Sequence, residues 1–349
     1  MKTYVIGPGI RSPMLETMVD YTLGGNKAVF ITDSKNLPDL RNSRIIFAVE
    51  LDEAGFYSPI AQILSKLKVR GIDSLVSSKG ILLVHSPCEF NTKWAAQNII
   101  FQCNMLGCSF MGHPLVEATG SLMNFKTWQK SLPYSLEEIC FLKCKNMGLR
   151  FFNDKQPAFE TPTILALHAS SNTTSNTLAL WKMSKGYLSD KWNIVEKHVE
   201  NGGIKDCAGC SFHTCIHYGK QKSCFYGGVM VEEIYPAIEK ADSLMWICPN
   251  YNDSVSANIM AVINRITALY RQLSFYDKYI FSIIVSGNSG CDSVARQLIG
   301  ALNINKGFRL PPYFALMSIA NDPGSIHQVP NIESLAQNYA MNIIESIRR

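Results

Sequence analysis

Short apolar runs alternate along this chain with segments whose apolar residues recur every three to four positions. Runs of four to eight residues bounded by turn residues read as buried strands, and the 3.6-residue spacing reads as helix. In the N-terminal half, residues 3–6, 28–31, 45–49 and 81–85 have the strand pattern, and 57–68 and 92–105 have the helix pattern. Ser135-Leu136-Glu137-Glu138 has the order of a capping box and Gly148 suits a stop, so a helix between them closes this half. Residues 153–161 are polar, contain a proline and read as a linker. The alternation then restarts. Strands are expected at 163–168, 192–199, 243–248, 279–285 and 313–318, and helices at 174–185, 231–241, 256–271, 292–302 and 332–347.

Strands that alternate with helices predict α/β architecture with parallel sheets. Five βα units in residues 162–349 fit a doubly wound five-stranded parallel sheet of flavodoxin type. Residues 1–152 have a similar, less regular rhythm and read as a second α/β domain, a degenerate copy of the same architecture. Its Gly7-Pro8-Gly9, Glu50-Leu51-Asp52-Glu53 and Gly120-Ser121-Leu122 form no recognisable cofactor loop, so no cofactor is expected there.

Composition narrows the setting. At 349 residues, with 47% hydrophobic and 17% charged residues, the chain has the composition of a well-buried globular protein. The net charge of +5 is spread without a dense Lys/Arg cluster, which argues against nucleic acid as partner. No apolar run approaches the roughly 18 residues of a membrane span, and no secretory signal is visible, so the expected location is the cytoplasm. There the eleven cysteines would be mostly reduced, and a cluster of them would suggest metal or redox work.

Ligands of a doubly wound sheet sit beyond the carboxyl ends of its strands. Three loops of the second half fall there. The first runs from His168 to Thr177 and places hydroxyls and amides before a helix start, whose free N–H groups and partial positive charge suit a phosphate. The second, Cys248 to Ser256, offers backbone amides and the Tyr251 ring to a flat heterocycle. The third, Ser286-Gly287-Asn288-Ser289-Gly290, leaves room for a planar ligand to approach the backbone. Each loop also has a plain structural reading: a polar helix cap, a Pro-Asn turn with Ser256 as N-cap, and a tight turn. Three at one sheet edge make a better joint case than any one alone.

These loops resemble the NADPH-dependent FMN reductase branch of the flavodoxin-like superfamily. His168-Ala169-Ser170-Ser171-Asn172, two threonines and Ser175-Asn176-Thr177 resemble its phosphate loop. Pro249-Asn250-Tyr251, Ser256 and Asn264-Arg265 resemble its second loop and the helix after it. Asn172 stands at the usual arginine, Asn252 where an aromatic is common, and Asn264 at the usual aspartate. The resemblance implies FMN with its phosphate at Ser170, Asn172, Ser175, Asn176 and Thr177. It places the ring at Pro249, Asn250, Tyr251, Asn252, Ser286, Gly287, Asn288, Ser289 and Gly290. No catalytic side chain is demanded, because the cofactor carries the hydride chemistry. The implied activity is an NAD(P)H oxidoreductase that passes hydride or electrons from a nicotinamide to a small acceptor such as a flavin or quinone. A homo-oligomer is implied too, unless the first domain stands in for the partner.

Cys207, Cys210, Cys215 and Cys224 form the densest cysteine group, and His213 and His217 lie among them. CxxC spacing can present two thiolates to one metal. The segment resembles, with wider spacing, the insertion of iron–sulfur flavoproteins. Four readings stay open: no metal, an iron–sulfur cluster, zinc, or a reversible Cys207–Cys210 thiol pair. The alternatives to a reductase are therefore an FMN electron carrier with a cluster and a non-catalytic flavodoxin-like scaffold.

Overall fold

The computed structural model describes residues 1–171, 173–200 and 202–348. The chain divides into two compact units, Met1–Lys155 and Gln156–Arg349. Among the described residues, no helix is long and apolar enough to cross a membrane.

The first unit contains strands β1 (Lys2–Ile6), β2 (Val29–Ile31), β3 (Ser43–Glu50), β4 (Ser78–His85) and β5 (Cys108–Ala118). All pair in parallel, in the order β2-β1-β3-β4-β5. Its helices are α1 (Pro13–Leu23), α2 (Ser58–Arg70), α3 (Thr92–Asn104), α4 (Lys126–Gln129) and α5 (Leu136–Phe152). β3 and β4 are apolar and buried over nearly their whole length, as strands covered on both faces must be. One face packs Val5, Ile46, Ala48, Ile81 and Leu83 against Leu15, Met18 and Val19 of α1 and Ile139, Cys144 and Met147 of α5.

Three features of this unit depart from the sequence reading. α1 was not expected, although Ser12 caps it through Leu15 N–H, Pro13 opens it and left-handed Gly24 ends it. β5 was not expected either. Gly112-His113-Pro114 interrupts its alternation, its register with β4 shifts there, and Arg150 donates to the carbonyls of Gly112 and His113 at 2.8 and 3.0 Å. Gly148 does not stop α5, which continues to Phe152. A Cβ at Gly148 would fall on the carbonyl of Thr22, so this glycine lets α5 cross α1 at backbone contact.

The second unit contains β6 (Thr163–His168), β7 (Asn193–His198), β8 (Ser243–Pro249), β9 (Tyr279–Ser286) and β10 (Ala315–Ile319). They are all parallel, in the order β10-β9-β8-β6-β7. Read in chain order within each unit, both sheets run 2-1-3-4-5. That is the flavodoxin order, with its switch point between the first and third strands. The helices are α6 (Asn176–Lys185), α7 (Phe212–Gly219), α8 (Tyr235–Lys240), α9 (Ala257–Tyr270), α10 (Cys291–Leu298) and α11 (Ile332–Arg348). α6 and α11 cover one face, where Trp181, Ala336, Tyr339 and Ile343 meet Ala166, Met245, Ile247 and Ile283. α7 lies inside the cysteine segment, which reads as loop from the sequence. Ser211 caps it by accepting Thr214 N–H at 3.2 Å.

Candidate functional site

The carboxyl ends of β6, β8, β9 and β10 surround one cavity of about 670 Å³. It is lined by Ser171, Thr174, Ser175, Asn176 and Thr177 from the first loop, Pro249, Asn250, Tyr251 and Asn252 from the second, and Val285, Gly287 and Asn288 from the third. The three loops singled out in the sequence therefore meet in space. A fourth wall, Ala320 and Asn321 after β10, was not foreseen. The run Asn321-Asp322-Pro323-Gly324 signals a turn, but nothing in its sequence ties it to the other loops.

The tie is Asn176. Its side chain does not stand free for a ligand. Nδ2 donates to the carbonyls of Ala320 at 3.1 Å and Asp322 at 2.8 Å, and Oδ1 accepts the N–H of Gly324 at 3.0 Å. The first turn of α6 is thus bolted to the loop after β10. Ser175 caps α6 by accepting Leu178 N–H at 3.2 Å, and Thr177 is buried beside it. The N–H groups of a first helical turn lack intrahelical acceptors, so this turn presents donors toward the cavity. Ser170 is 1% exposed, and its hydroxyl has no hydrogen-bond partner among the described residues. Leaving such a group unpaired costs about 1–3 kcal/mol, and Ser170 lies behind the residues that line the cavity rather than among them. Asn172 lies outside the described residues.

His168 roots this loop. It is buried and stacks on His198 with ring centroids 4.8 Å apart. Burial first, and the neighbouring His198 second, push its pKa below the ordinary histidine value.

Asn250 joins the second loop to the third, with Nδ2 donating to Ser289 O at 2.8 Å and Ser286 Oγ at 3.0 Å. Asn252 and Asp253 adopt left-handed conformations that reverse the chain, and Tyr251 is exposed at the rim. Of the third loop, Gly287 and Asn288 line the cavity. Ser286, Ser289 and Gly290 serve the loop itself: the Ser286 hydroxyl donates to Ser289 O, and Gly290, at φ 86°, passes under the Asp253 carboxylate. A Cβ on Gly287 would come within 2.7 Å of the Asn321 side-chain oxygen.

Cys207, Cys210, Cys215 and Cys224 line a separate cavity of about 290 Å³, together with Phe212, Tyr218, Phe225 and Tyr226. Arg265 is buried in α9 and donates to Gly227 O at 2.8 Å, while Asn264 donates to Asp206 Oδ1 at 2.9 Å. The two residues hold the cysteine segment against the helix. Among the described residues, no three His, Cys, Asp or Glu side chains are grouped closely enough to hold a single metal ion.

Residues 162–322 match the sequence profile described as NADPH-dependent FMN reductase. No curated protein sequence matches significantly. Among solved structures the chain is similar to RosB bound to 8-demethyl-8-formylriboflavin-5'-phosphate, with 14% identity over 54% of this chain and 79% of that one and a TM-score of 0.44. It is also similar to an NAD(P)H:quinone oxidoreductase from Methanothermobacter marburgensis, with 15% identity over 52% and 94% and a TM-score of 0.40. A putative quinone reductase from Klebsiella pneumoniae shows 15% identity over 51% and 84% and a TM-score of 0.38.

Proposed function

We propose, from the match of residues 162–322 to the NADPH-dependent FMN reductase profile, that the second unit binds FMN in the 670 Å³ cavity and works as an NAD(P)H oxidoreductase on a small acceptor such as a quinone or flavin. The convergence of the hydroxyl-rich helix start with the Pro249–Asn252 and Gly287–Asn288 loops at one switch point carries this reading. When bound, FMN supplies hydride acceptance and donation. The chain's own residues bind and orient. The first turn of α6, with Ser175 and Thr177, receives the phosphate. Pro249, Asn250, Tyr251 and Asn252 hold one side of the ring, and Gly287 and Asn288 admit it close to the backbone. Asn176 and Asn250 hold the walls in place. We also propose that the two units are separate domains, with the boundary between residues 152 and 162, and that the protein acts in the cytoplasm as a homo-oligomer.

The test is to titrate FMN into the purified chain while following flavin absorbance and thermal stability, then to measure NADPH oxidation with a quinone. Bound flavin, a thermal shift and turnover are expected. No flavin retention and no shift would sink the reading.

One observation favours a second reading, in which the flavin exchanges electrons with an iron–sulfur cluster. The four cysteines share one cavity, and a cluster asks for four thiolates around a cage larger than a single ion. Iron and sulfide in stoichiometric amount after anaerobic purification, lost in Cys215→Ser, would support it. Clean metal analysis would remove it.

A further inference from the structure

The two sheets share one strand order and can be compared pair by pair. In the second unit the last register pair between β8 and β9 is Pro249–Val285, and Ser175 caps the helix that follows β6. All three residues line the cavity. In the first unit the corresponding pair, last in the register of β3 and β4, is Glu50–His85, and Ser12 caps the helix that follows β1. The faces agree as well: Val5 and Ile46 lie under α1, as Ala166 and Met245 lie under α6.

At these equivalent positions the first unit has a closed polar network. Glu50 Oε2 accepts the Ser12 N–H at 3.0 Å and the Ser12 hydroxyl at 2.8 Å, and Glu50 Oε1 pairs with His85 Nδ1. An ordinary cap would need only the Ser12 hydroxyl, which already receives Leu15 N–H. Burying a carboxylate and an imidazole besides is costly unless they satisfy each other. Two donors that a phosphate could use are missing, while the Ser12 N–H and hydroxyl are present but taken by Glu50. Pro8 sits in the loop after β1, and Pro13 takes the first position of α1, where the second unit has Asn176; neither proline has an N–H.

We propose that Glu50 is a resident anion. Its carboxylate takes, at the start of α1, the place that corresponds to the anion-receiving end of the second unit's cavity, and so closes the first unit to phosphate-bearing ligands. Naming that end as anion-receiving rests on the function proposed above, but the test reads the first unit alone and does not need FMN to bind anywhere.

The experiment uses the full chain with Glu50→Ala and measures hydrogen exchange of residues 12–23 and 43–50 with and without inorganic phosphate. The expected result is saturable protection in the variant, about tenfold slower exchange when phosphate is tenfold above its Kd, and none in the unsubstituted chain. Acetate, which mimics the lost side chain, should act likewise. Three outcomes overturn the proposal: a folded variant whose α1 exchange ignores both anions; a variant that stays unfolded in excess phosphate; and equal phosphate protection of α1 in the unsubstituted chain. A variant that is unfolded alone but folds in phosphate supports it. Failure of FMN to bind the second unit would leave these readings intact and would count only against the proposed function.

Discussion

Replacing Asn176 with alanine probes the bolt between the α6 start and the loop after β10. The side chain is 7% exposed and makes three well-placed hydrogen bonds, at 2.8, 3.0 and 3.1 Å, to Asp322 O, Gly324 N and Ala320 O. At about 1 kcal/mol each, the loss is about 3 kcal/mol. For a unit of this size that lowers the melting temperature of the second unit by roughly 6–12 °C. The freed loop carries Ala320 and Asn321 out of the cavity wall. Re-ordering even one residue on binding costs about 1–2 kcal/mol, so FMN affinity should fall about tenfold. Asn176→Asp keeps the shape but replaces the donor with a charge facing two carbonyls, and should be at least as damaging. Melting followed by circular dichroism and FMN fluorescence titration measure the two effects. If alanine left the melting point and the FMN affinity unchanged, or if Asp behaved as Asn, the clamp would have no energetic weight and the reasoning would fail.

Gly290→Ala should disturb the same cavity from its other side. At φ 86° a side chain costs about 1–2 kcal/mol, and its Cβ would push the Asp253 carboxylate and with it the Asn250–Asp253 turn, so a lower melting point with weaker flavin binding is expected. Acid should destabilise the first unit through Glu50. Burial alone would raise this carboxyl, but the bonds from His85 and Ser12 hold it below its ordinary 4.5. Its contribution is complete above 4.5 and is lost as pH falls from there through the lower folded value. Urea titrations at stepped pH should show this slope in the unsubstituted chain and lack it in Glu50→Gln. His168 predicts a separate slope. Its folded pKa lies below 6.5, so the second unit should begin to lose stability as pH drops below 6.5. His168→Gln should flatten that segment of the profile, and an unchanged profile would mean that the ring is solvated in solution.

Much of the architecture was legible because parallel strands buried on both faces are nearly pure apolar runs, and β6, β8 and β9 are of that kind. β5 escaped because Gly112-His113-Pro114 breaks its alternation, and that bulge is repaired by Arg150, far away in sequence. Gly148 misled for a related reason. A glycine in a helix reads as a stop until the helix it must touch is known, and here that is α1 at Thr22. Within the cavity, the loops could be named from their own residues because hydroxyls before a helix and glycines after a strand are local signals. The division of labour could not. Asn176 looks like a ligand contact in sequence and is a clamp in space, and Ser286, Ser289 and Gly290 shape a loop whose neighbours face the cavity. The fourth wall was hidden because its bond to Asn176 spans 146 residues.

That long span also orders events in time. The ribosome delivers β6 and the start of α6 well before the Ala320–Ile326 stretch that Asn176 grips. Until that stretch emerges, the helix start faces solvent with its wall missing. Flavin loading on the proposed reading would thus be a late, near-completion step in synthesis, and a nascent chain stalled before residue 320 should hold no cofactor.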